Sequence, residues 1–458
     1  MEQKIVNKDT IDILINNAEK TIIEFENILH NIEQIKSNLY NKNLSINYLQ
    51  LFFELLSGSL SGIYEVCHSL KNMLSTDNIY VKRYHMQMIN LSQYEWCIYL
   101  AGKDKKGILF KLINYLGKCN CSFSELKVIL NKTKQLGKKC SVNLRNITAH
   151  YDKPQKIYSE LVCLNDENIY ALRISEQLLI HDMILKYASP ILQDIQKLLN
   201  SNNHEVIYKK IDKFNVIDVL NNEISKAFNS KVNLYIIIKE QLLNAWSDIE
   251  KQKSNFVACD KIIKNFKLNK IDYNEIKDMQ SVIEMYWSVC FMRYDLICSI
   301  DSYLNASSNI ERSICFMRIF RIETSALTQL YGYNSEKKGK SIWNKLKMIS
   351  VFKEIDFSEQ LEVDFEKLVV HFDSKKRNLY THYRENEKFN ISDRWQCFNS
   401  MNHSEELMQV LKLIALCKNI NKYLLSFILL MNRNEKLKSD EIIKNMERII
   451  EYINVSDL

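Results

Sequence analysis

The chain has 458 residues, of which 46% are hydrophobic and 26% are charged, as in an ordinary folded soluble protein that buries a large core. Only 2 prolines and 8 glycines are present, so long helices are favoured and an extensive sheet is excluded. The formal net charge of +7 is mildly basic, which is compatible with a nucleic-acid partner without establishing one.

Cysteine usage and hydropathy indicate where the protein is found. The 12 cysteines are scattered without a CxxC ladder, which predicts reduced, mostly buried thiols in a cytosolic protein. The N-terminal stretch lacks a signal-peptide pattern, and the longest apolar run, 423–431, is too short to span a bilayer. We therefore expect a soluble, cytoplasmic protein that has no membrane partner.

In the first half, apolar residues at steps of three and four predict amphipathic helices. A further helix should begin near Val142, and Pro154 should end or bend it. A long helix over 166–199 should be interrupted near Pro190. The other predicted helices cover about 10–40, 46–74, 80–100, 108–116 and 122–137.

The second half repeats this order after a polar linker at 200–203. The five tryptophans are best explained as core residues. We predict an all-α protein of two homologous helical-bundle domains, residues 1–203 and 204–458, packed as a pseudo-twofold pair. The helices predicted in the second half cover about 232–256, 278–304, 311–331, 342–352, 359–372, 404–431 and 439–453.

One short sequence motif occurs twice. It reads RNITAHY from Arg145 to Tyr151 and RNLYTHY from Arg377 to Tyr383, an offset of 377 − 145 = 232 residues. At the same offset, a Lys-Lys-Gly triplet at 105–107 falls on a second triplet at 337–339. Two elements that keep register over this distance indicate a duplicated domain.

The repeated residue types suit phosphodiester cleavage in RNA. Histidine, with an unperturbed pKa of about 6.5, can exchange a proton at neutral pH. Arginine can hold a phosphate and stabilise transition-state charge, and asparagine can orient either group. In a helix, Asn146 and His150 share a face, as do Asn378 and His382. Because RNA supplies its own nucleophile, the 2′-hydroxyl, this chemistry requires neither a metal nor a cofactor.

The motif resembles that of the HEPN superfamily, whose helical domains carry an arginine, four to six residues and a histidine, often with a polar residue after the arginine. The resemblance implies metal-independent endoribonuclease activity at a composite site formed by two motifs. The catalytic residues would be Arg145, Asn146, His150, Arg377, Asn378 and His382. The chain is much shorter than the two-HEPN effectors of type VI CRISPR systems, and an antiphage or toxin ribonuclease suits its length better.

Other residues near the motifs could contact RNA. Backbone phosphates attract lysines, although each lysine could equally belong to a solvated loop. Tyr151 and Tyr383 could stack on a base or pack the motif helix against its bundle. We expect an RNA substrate, a regulatory or antitoxin partner and no DNA. The alternative function is a non-catalytic RNA- or protein-binding module. The candidate lysines are Lys105, Lys106, Lys138, Lys139, Lys337, Lys338, Lys375 and Lys376.

Overall fold

The computed structural model describes most of the chain between residues 46 and 433. Its described residues form α-helices and no β-strand, which confirms the predicted all-α class. The predicted helices at 10–40 and 439–453 and the predicted domain boundary at 203 lie outside these residues. The described ranges are 46–102, 106–119, 121–144, 151, 153–199, 213–228, 233–268, 274–332, 341–348, 358–371, 398 and 400–433.

Thirteen helices are defined within the described ranges. Those that precede residue 200 are α1 (Ile46–Leu74), α2 (Ile79–Ala101), α3 (Ile108–Lys118), α4 (Ser124–Lys139), α5 (Pro154–Val162) and α6 (Glu167–Leu199). Those that follow are α7 (Lys213–Phe228), α8 (Leu234–Leu268), α9 (Asn274–Asn305), α10 (Asn309–Tyr331), α11 (Ile342–Lys347), α12 (Ser358–His371) and α13 (His403–Arg433). Most bounds agree with the predicted ones to within a few residues, but α5 and α7 were not predicted.

Local signals explain where two central helices begin and end. The Asn78 side chain caps α2 by accepting from the backbone amides of its first turn, and Gly102 ends it with φ 74°. Ser308 and Glu311 form a reciprocal capping box at the start of α10, and Gly332 ends that helix with φ 84°. A positive φ at the end of a helix favours glycine, because glycine has no Cβ to clash with the backbone.

The helix order is the same in two stretches of the chain. Helices α1, α2, α3, α4 and α6 correspond in order to α9, α10, α11, α12 and α13. Helices α2 and α10 each have 23 residues, and their capping glycines, Gly102 and Gly332, lie 332 − 102 = 230 residues apart. Three of the packing pairs also correspond, since α1–α2, α1–α6 and α4–α6 match α9–α10, α9–α13 and α12–α13. The symmetry relating the two stretches stays a prediction.

One apolar core runs through both stretches. Helix α1 packs on α10, while α2 and α5 both pack on α9. The predicted core role of the tryptophans is confirmed for four of them, since Trp96, Trp246, Trp287 and Trp343 are each 2% exposed or less. The fifth, Trp395, lies outside the described residues. None of the described helices combines the length and hydropathy that would be needed to cross a membrane.

The predicted interruption of a helix at Pro190 was wrong, and the reason is tertiary packing. Helix α6 continues through Pro190, because Ile184 and Ala188 are fully buried and the turns that follow pack on the core. An interior proline costs about 3 kcal/mol through its lost amide and its steric clash, which burial can offset. Pro154 occupies the first position of α5, where its missing amide is harmless. The end of the helix that begins near Val142, which Pro154 was predicted to end or bend, lies outside the described residues.

Candidate functional site

The structure describes only part of the predicted site. Lys106, Lys138, Lys139 and Tyr151 are described. The arrangement of the two motifs relative to each other therefore stays a prediction, and the described part of the site consists of residues that flank the first motif. Outside the described residues lie Arg145, Asn146, His150, Arg377, Asn378, His382, Lys105, Lys337, Lys338, Lys375, Lys376 and Tyr383.

The segment before the first motif is held against α2. The Ser141 hydroxyl accepts from the Leu144 amide at 3.1 Å, which caps the helical turn 142–144. Asn90 of α2 brackets the Ser141 backbone, accepting from its amide at 2.9 Å and donating to its carbonyl at 3.0 Å. Leu144 is 1% exposed and belongs to the core. The chain therefore enters the motif from a well-anchored helix start.

The residue that ends the first motif is anchored to the second stretch. Tyr151 is 1% exposed, and its hydroxyl donates to a carboxylate oxygen of Asp295 on α9 at 2.7 Å. Burial raises the pKa of Asp295 to about 7, although the Tyr151 hydrogen bond opposes this shift. The buried ring is not accessible to a base. Of the two roles left open by the sequence, Tyr151 therefore has the packing role.

A run of lysines precedes the first motif in the chain, over residues 106–139, and we call it the basic face. This segment has eight lysines and one acidic residue, Glu125, so it carries 8 − 1 = +7. That equals the net charge of the whole chain, and the remaining residues sum to 7 − 7 = 0. Seven of the lysines are exposed and Lys132 is half-buried. The basic face consists of Lys106, Lys111, Lys118, Lys127, Lys132, Lys134, Lys138 and Lys139.

The packing of α4 explains why these charges point outwards. Leu126, Ile129 and Leu136 are buried where α4 packs on α2 and α6, which leaves the lysines on the opposite side. Two lysines also lie over aromatic rings, with the Lys134 ammonium 4.6 Å from the Phe110 ring centre. The Lys127 ammonium lies 4.6 Å from the Phe123 ring centre. Lys139 forms an ion pair with Glu176 of α6, so its charge is partly compensated.

The corresponding segment of the second stretch is neutral. At an offset of 232, residues 106–139 fall on 338–371, which contain six lysines and six acidic residues, or 6 − 6 = 0. Four of those acidic residues, Glu359, Glu362, Asp364 and Glu366, lie on α12, the counterpart of α4. The sequence prediction selected three of the eight lysines, Lys106 from the repeated triplet and Lys138 and Lys139 from their place just before the motif. Counting charge segment by segment would have found the rest.

Comparison with protein-family models, curated proteins and solved structures finds no match to this chain. Its function is therefore argued from its own residues. The described part of the chain contains no group of three His, Cys, Asp or Glu side chains that could hold a metal ion.

The histidines outside the motifs whose side chains are described are buried. His181 accepts or donates a hydrogen bond with the Ser59 hydroxyl at 2.8 Å, and His403 is 3.0 Å from the Phe398 carbonyl. Burial lowers the pKa of both histidines to about 4, so both are neutral at physiological pH. These two side chains belong to the core.

A polar cleft of about 530 Å³ lies between the α1–α2 turn, α8 and the end of α9. Its two lysines are each matched by a carboxylate. Lys71 lies 3.0 Å from Glu311, and the charge of Lys239 acts on Asp301. The cleft is thus close to neutral and offers less attraction for phosphates than the basic face.

Proposed function

We propose that the protein is a metal-independent endoribonuclease that binds RNA on the basic face and cuts it at a composite site formed by its two motifs. The observation that carries the proposal is the concentration of the whole net charge in residues 106–139. This segment ends two residues before Ser141, at the helix start that leads into the first motif. RNA held on the basic face would therefore pass directly beside the first motif.

The charge pattern favours nucleic acid over an acidic protein partner. Lysines spread over two helices match the regular phosphates of a strand, and they release its counterions on binding. Lysine–phosphate contacts carry no sequence information, so binding would be tolerant of sequence. The neutral counterpart on α11 and α12 gives the two stretches different tasks. The first would hold the substrate, and both would contribute motif residues.

The chemistry proposed for the composite site follows from the motif residues. One of the histidines, His150 or His382, removes the proton from the 2′-hydroxyl, which attacks the adjacent phosphorus. The other protonates the 5′-oxygen as it leaves. Arg145 and Arg377 stabilise the negative charge that develops on the phosphate oxygens. The products carry a 2′,3′-cyclic phosphate on one side and a 5′-hydroxyl on the other.

Two features support a composite site. The matching helix order and packing pairs support two homologous domains, residues 1–203 and 204–458, in a pseudo-twofold pair. The hydrogen bond from Tyr151 to Asp295 joins the end of the first motif to α9 of the second domain. A ribonuclease with little sequence preference would damage its own cell, so we also propose a cytoplasmic role in antiphage defence or as a toxin, restrained by a partner.

The proposal is tested by incubating the full chain with labelled single-stranded RNA in EDTA. We expect cleavage that leaves cyclic phosphate and 5′-hydroxyl ends. Either His150→Ala or His382→Ala should abolish cleavage if the site is shared, whereas His204→Ala, outside both motifs, should not. Cleavage that requires a divalent metal, or products with 5′-phosphates, would contradict the mechanism.

The second candidate function is an RNA-binding module without catalysis, which the basic face also favours. It predicts that RNA binds with the same salt dependence but remains intact at all protein concentrations. Cleavage that copurifies with the wild-type chain and disappears in both motif-histidine variants excludes this alternative. Tight binding with no cleavage in EDTA or Mg²⁺ supports it.

A further inference from the structure

Arg173 of α6 is buried without a carboxylate partner among the described residues. It is 7% exposed, and its guanidinium lies 3.2 Å from the Asn90 side-chain oxygen and 3.1 Å from the sulfur of Cys140. The same guanidinium lies 5.3 Å from the Tyr170 ring centre. A buried cation is stabilised by a nearby anion, and the Cys140 thiol is the ionisable group to which the guanidinium donates a hydrogen bond. The arrangement therefore favours the thiolate form of Cys140.

A second thiol contacts the first. Cys97 of α2 interacts with Cys140, the residue that follows α4, closely enough for each thiol to shift the pKa of the other. Gly137 permits this approach, since a Cβ at that position would lie 3.1 Å from the Cys97 Cβ. The Cys97 hydrogen bond, followed by the charge of Arg173, lowers the pKa of Cys140 to about 7 against the effect of burial. Burial raises the pKa of Cys97 well above its usual value, so the two thiols are chemically distinct.

We propose that Cys140 and Cys97 form an oxidation site that reacts with hydroperoxides and closes to a disulfide. The Cys140 thiolate attacks a peroxide oxygen, the O–O bond breaks, and hydroxide is the leaving group. The product on Cys140 is a sulfenic acid. The Cys97 thiol then loses its proton and its sulfur attacks the sulfenic sulfur. The S–O bond breaks, the S–S bond forms and water leaves. Two electrons from the two thiols reduce the peroxide.

Oxidation of this pair would change the contacts that hold the start of the motif helix. Cys140 directly precedes Ser141, and Arg173 contacts both Cys140 and the Asn90 side chain that brackets Ser141. A disulfide removes the anion that compensates Arg173, so the guanidinium and Asn90 must find new partners. The groups that face Cys140 from the neighbouring helices are Cys97 on α2 and Arg173 and Tyr170 on α6. The oxidation chemistry is independent of the proposed ribonuclease activity.

The test is a peroxide titration of the reduced full-length chain, followed by alkylation in denaturant and non-reducing peptide mass spectrometry. We expect a peptide pair linked through Cys97 and Cys140 at doses that leave the exposed Cys163 reduced. The rate of linkage should rise with pH around a midpoint near 7, following the Cys140 thiolate. Cys140→Ser should abolish the linkage.

Arg173→Gln is the discriminating variant. The Cys97 interaction remains in this variant, but the charge and the hydrogen bond of the guanidinium are lost, so the pKa of Cys140 rises and its thiolate fraction at pH 7 falls. Linkage should therefore be slower than in the wild type at pH 7, whereas Arg173→Lys should recover part of the rate and Arg83→Gln, far along α2, should not change it. Equal rates in wild type and Arg173→Gln would overturn the proposal.

The wild-type chain alone also decides the question if Arg173→Gln does not fold. Oxidation of Cys140 no faster than that of Cys163, or a rate midpoint at or above about pH 8.5, would show an ordinary thiol. A disulfide from Cys140 to any residue other than Cys97 would equally overturn the pairing.

Discussion

Replacing three exposed lysines of the basic face, in the triple variant Lys111→Gln, Lys118→Gln and Lys138→Gln, should reduce the salt dependence of RNA binding by a calculable amount. Of the seven exposed lysines, Lys139 is paired with Glu176, which leaves 7 − 1 = 6 for phosphates. Each phosphate neutralised on a single strand contributes about 0.7 to the slope of log K against log salt. The wild-type slope is therefore about −4 and the slope of the triple variant about −2.

These slopes translate into large affinity changes. Raising the salt from 50 to 200 mM, a fourfold change, should weaken wild-type binding about 250-fold and triple-variant binding about 16-fold. Fluorescence anisotropy with a labelled 2′-O-methyl RNA measures both slopes, because this RNA lacks the free 2′-hydroxyl and stays intact whether or not the protein is a nuclease. The matched control replaces Lys345, Lys347 and Lys367 by Gln on the neutral counterpart of the basic face.

The control triple variant should keep the wild-type slope, since its lysines lie on a surface with equal numbers of opposite charges. A basic-face variant that keeps a slope near −4 would refute the assignment of this face to RNA. So would a control variant whose slope falls as much as that of the basic-face variant.

Two further predictions concern buried carboxyl groups. Burial raises the pKa of Asp295 from its ordinary value of 3.8 to about 7, so ionisation of this carboxyl group destabilises the folded state. The destabilisation is absent below pH 3.8 and complete above pH 7. The amide side chain introduced by Asp295→Asn can still accept the hydrogen bond from Tyr151. Urea unfolding should show that this substitution stabilises the protein on the order of 1–3 kcal/mol more at pH 8 than at pH 4. The same stabilisation at both pH values would contradict this prediction. Burial opposes the charge of Glu311, yet hydrogen bonds from His68 and Ser307 and the Lys71 ammonium hold its pKa well below its usual range. The Glu311 carboxylate therefore stabilises the folded state above its ordinary pKa, and this stabilisation is lost as the pH falls. Glu311→Gln should lower the free energy of unfolding by about 2–3 kcal/mol at pH 7 and by less at pH 4.

Helix existence was predictable because it depends on local features that the sequence displays. The three- and four-residue spacing of apolar side chains gave the bounds of α1 and α2 to within a residue or so, and scarce glycine and proline excluded sheets. Helix α5 was missed because it spans only nine residues, too few for a periodic pattern to stand out. The interruption at Pro190 was wrong because burial of the surrounding turns outweighs a local penalty.

The candidate site also has features that were predictable from the sequence and features that were not. The duplicated motifs and the surplus of lysines are properties of the chain order, so they can be read without coordinates. Tyr151 could not be assigned to packing until Asp295, 144 residues away, was found beneath its hydroxyl. Arg173 and Cys140, 33 residues apart, carry no pattern that links them.

Residue order alone was enough to establish an all-α protein, a repeated helix sequence and the residues proposed for catalysis, because periodicity, duplication and net charge are sums over neighbouring positions. Folding supplied the rest. The pairing of a buried guanidinium with a thiol, the outward orientation of the lysines and the anchoring of the first motif depend on desolvation and contact between distant segments. Those energies arise when helices pack, and no local pattern of residues encodes them.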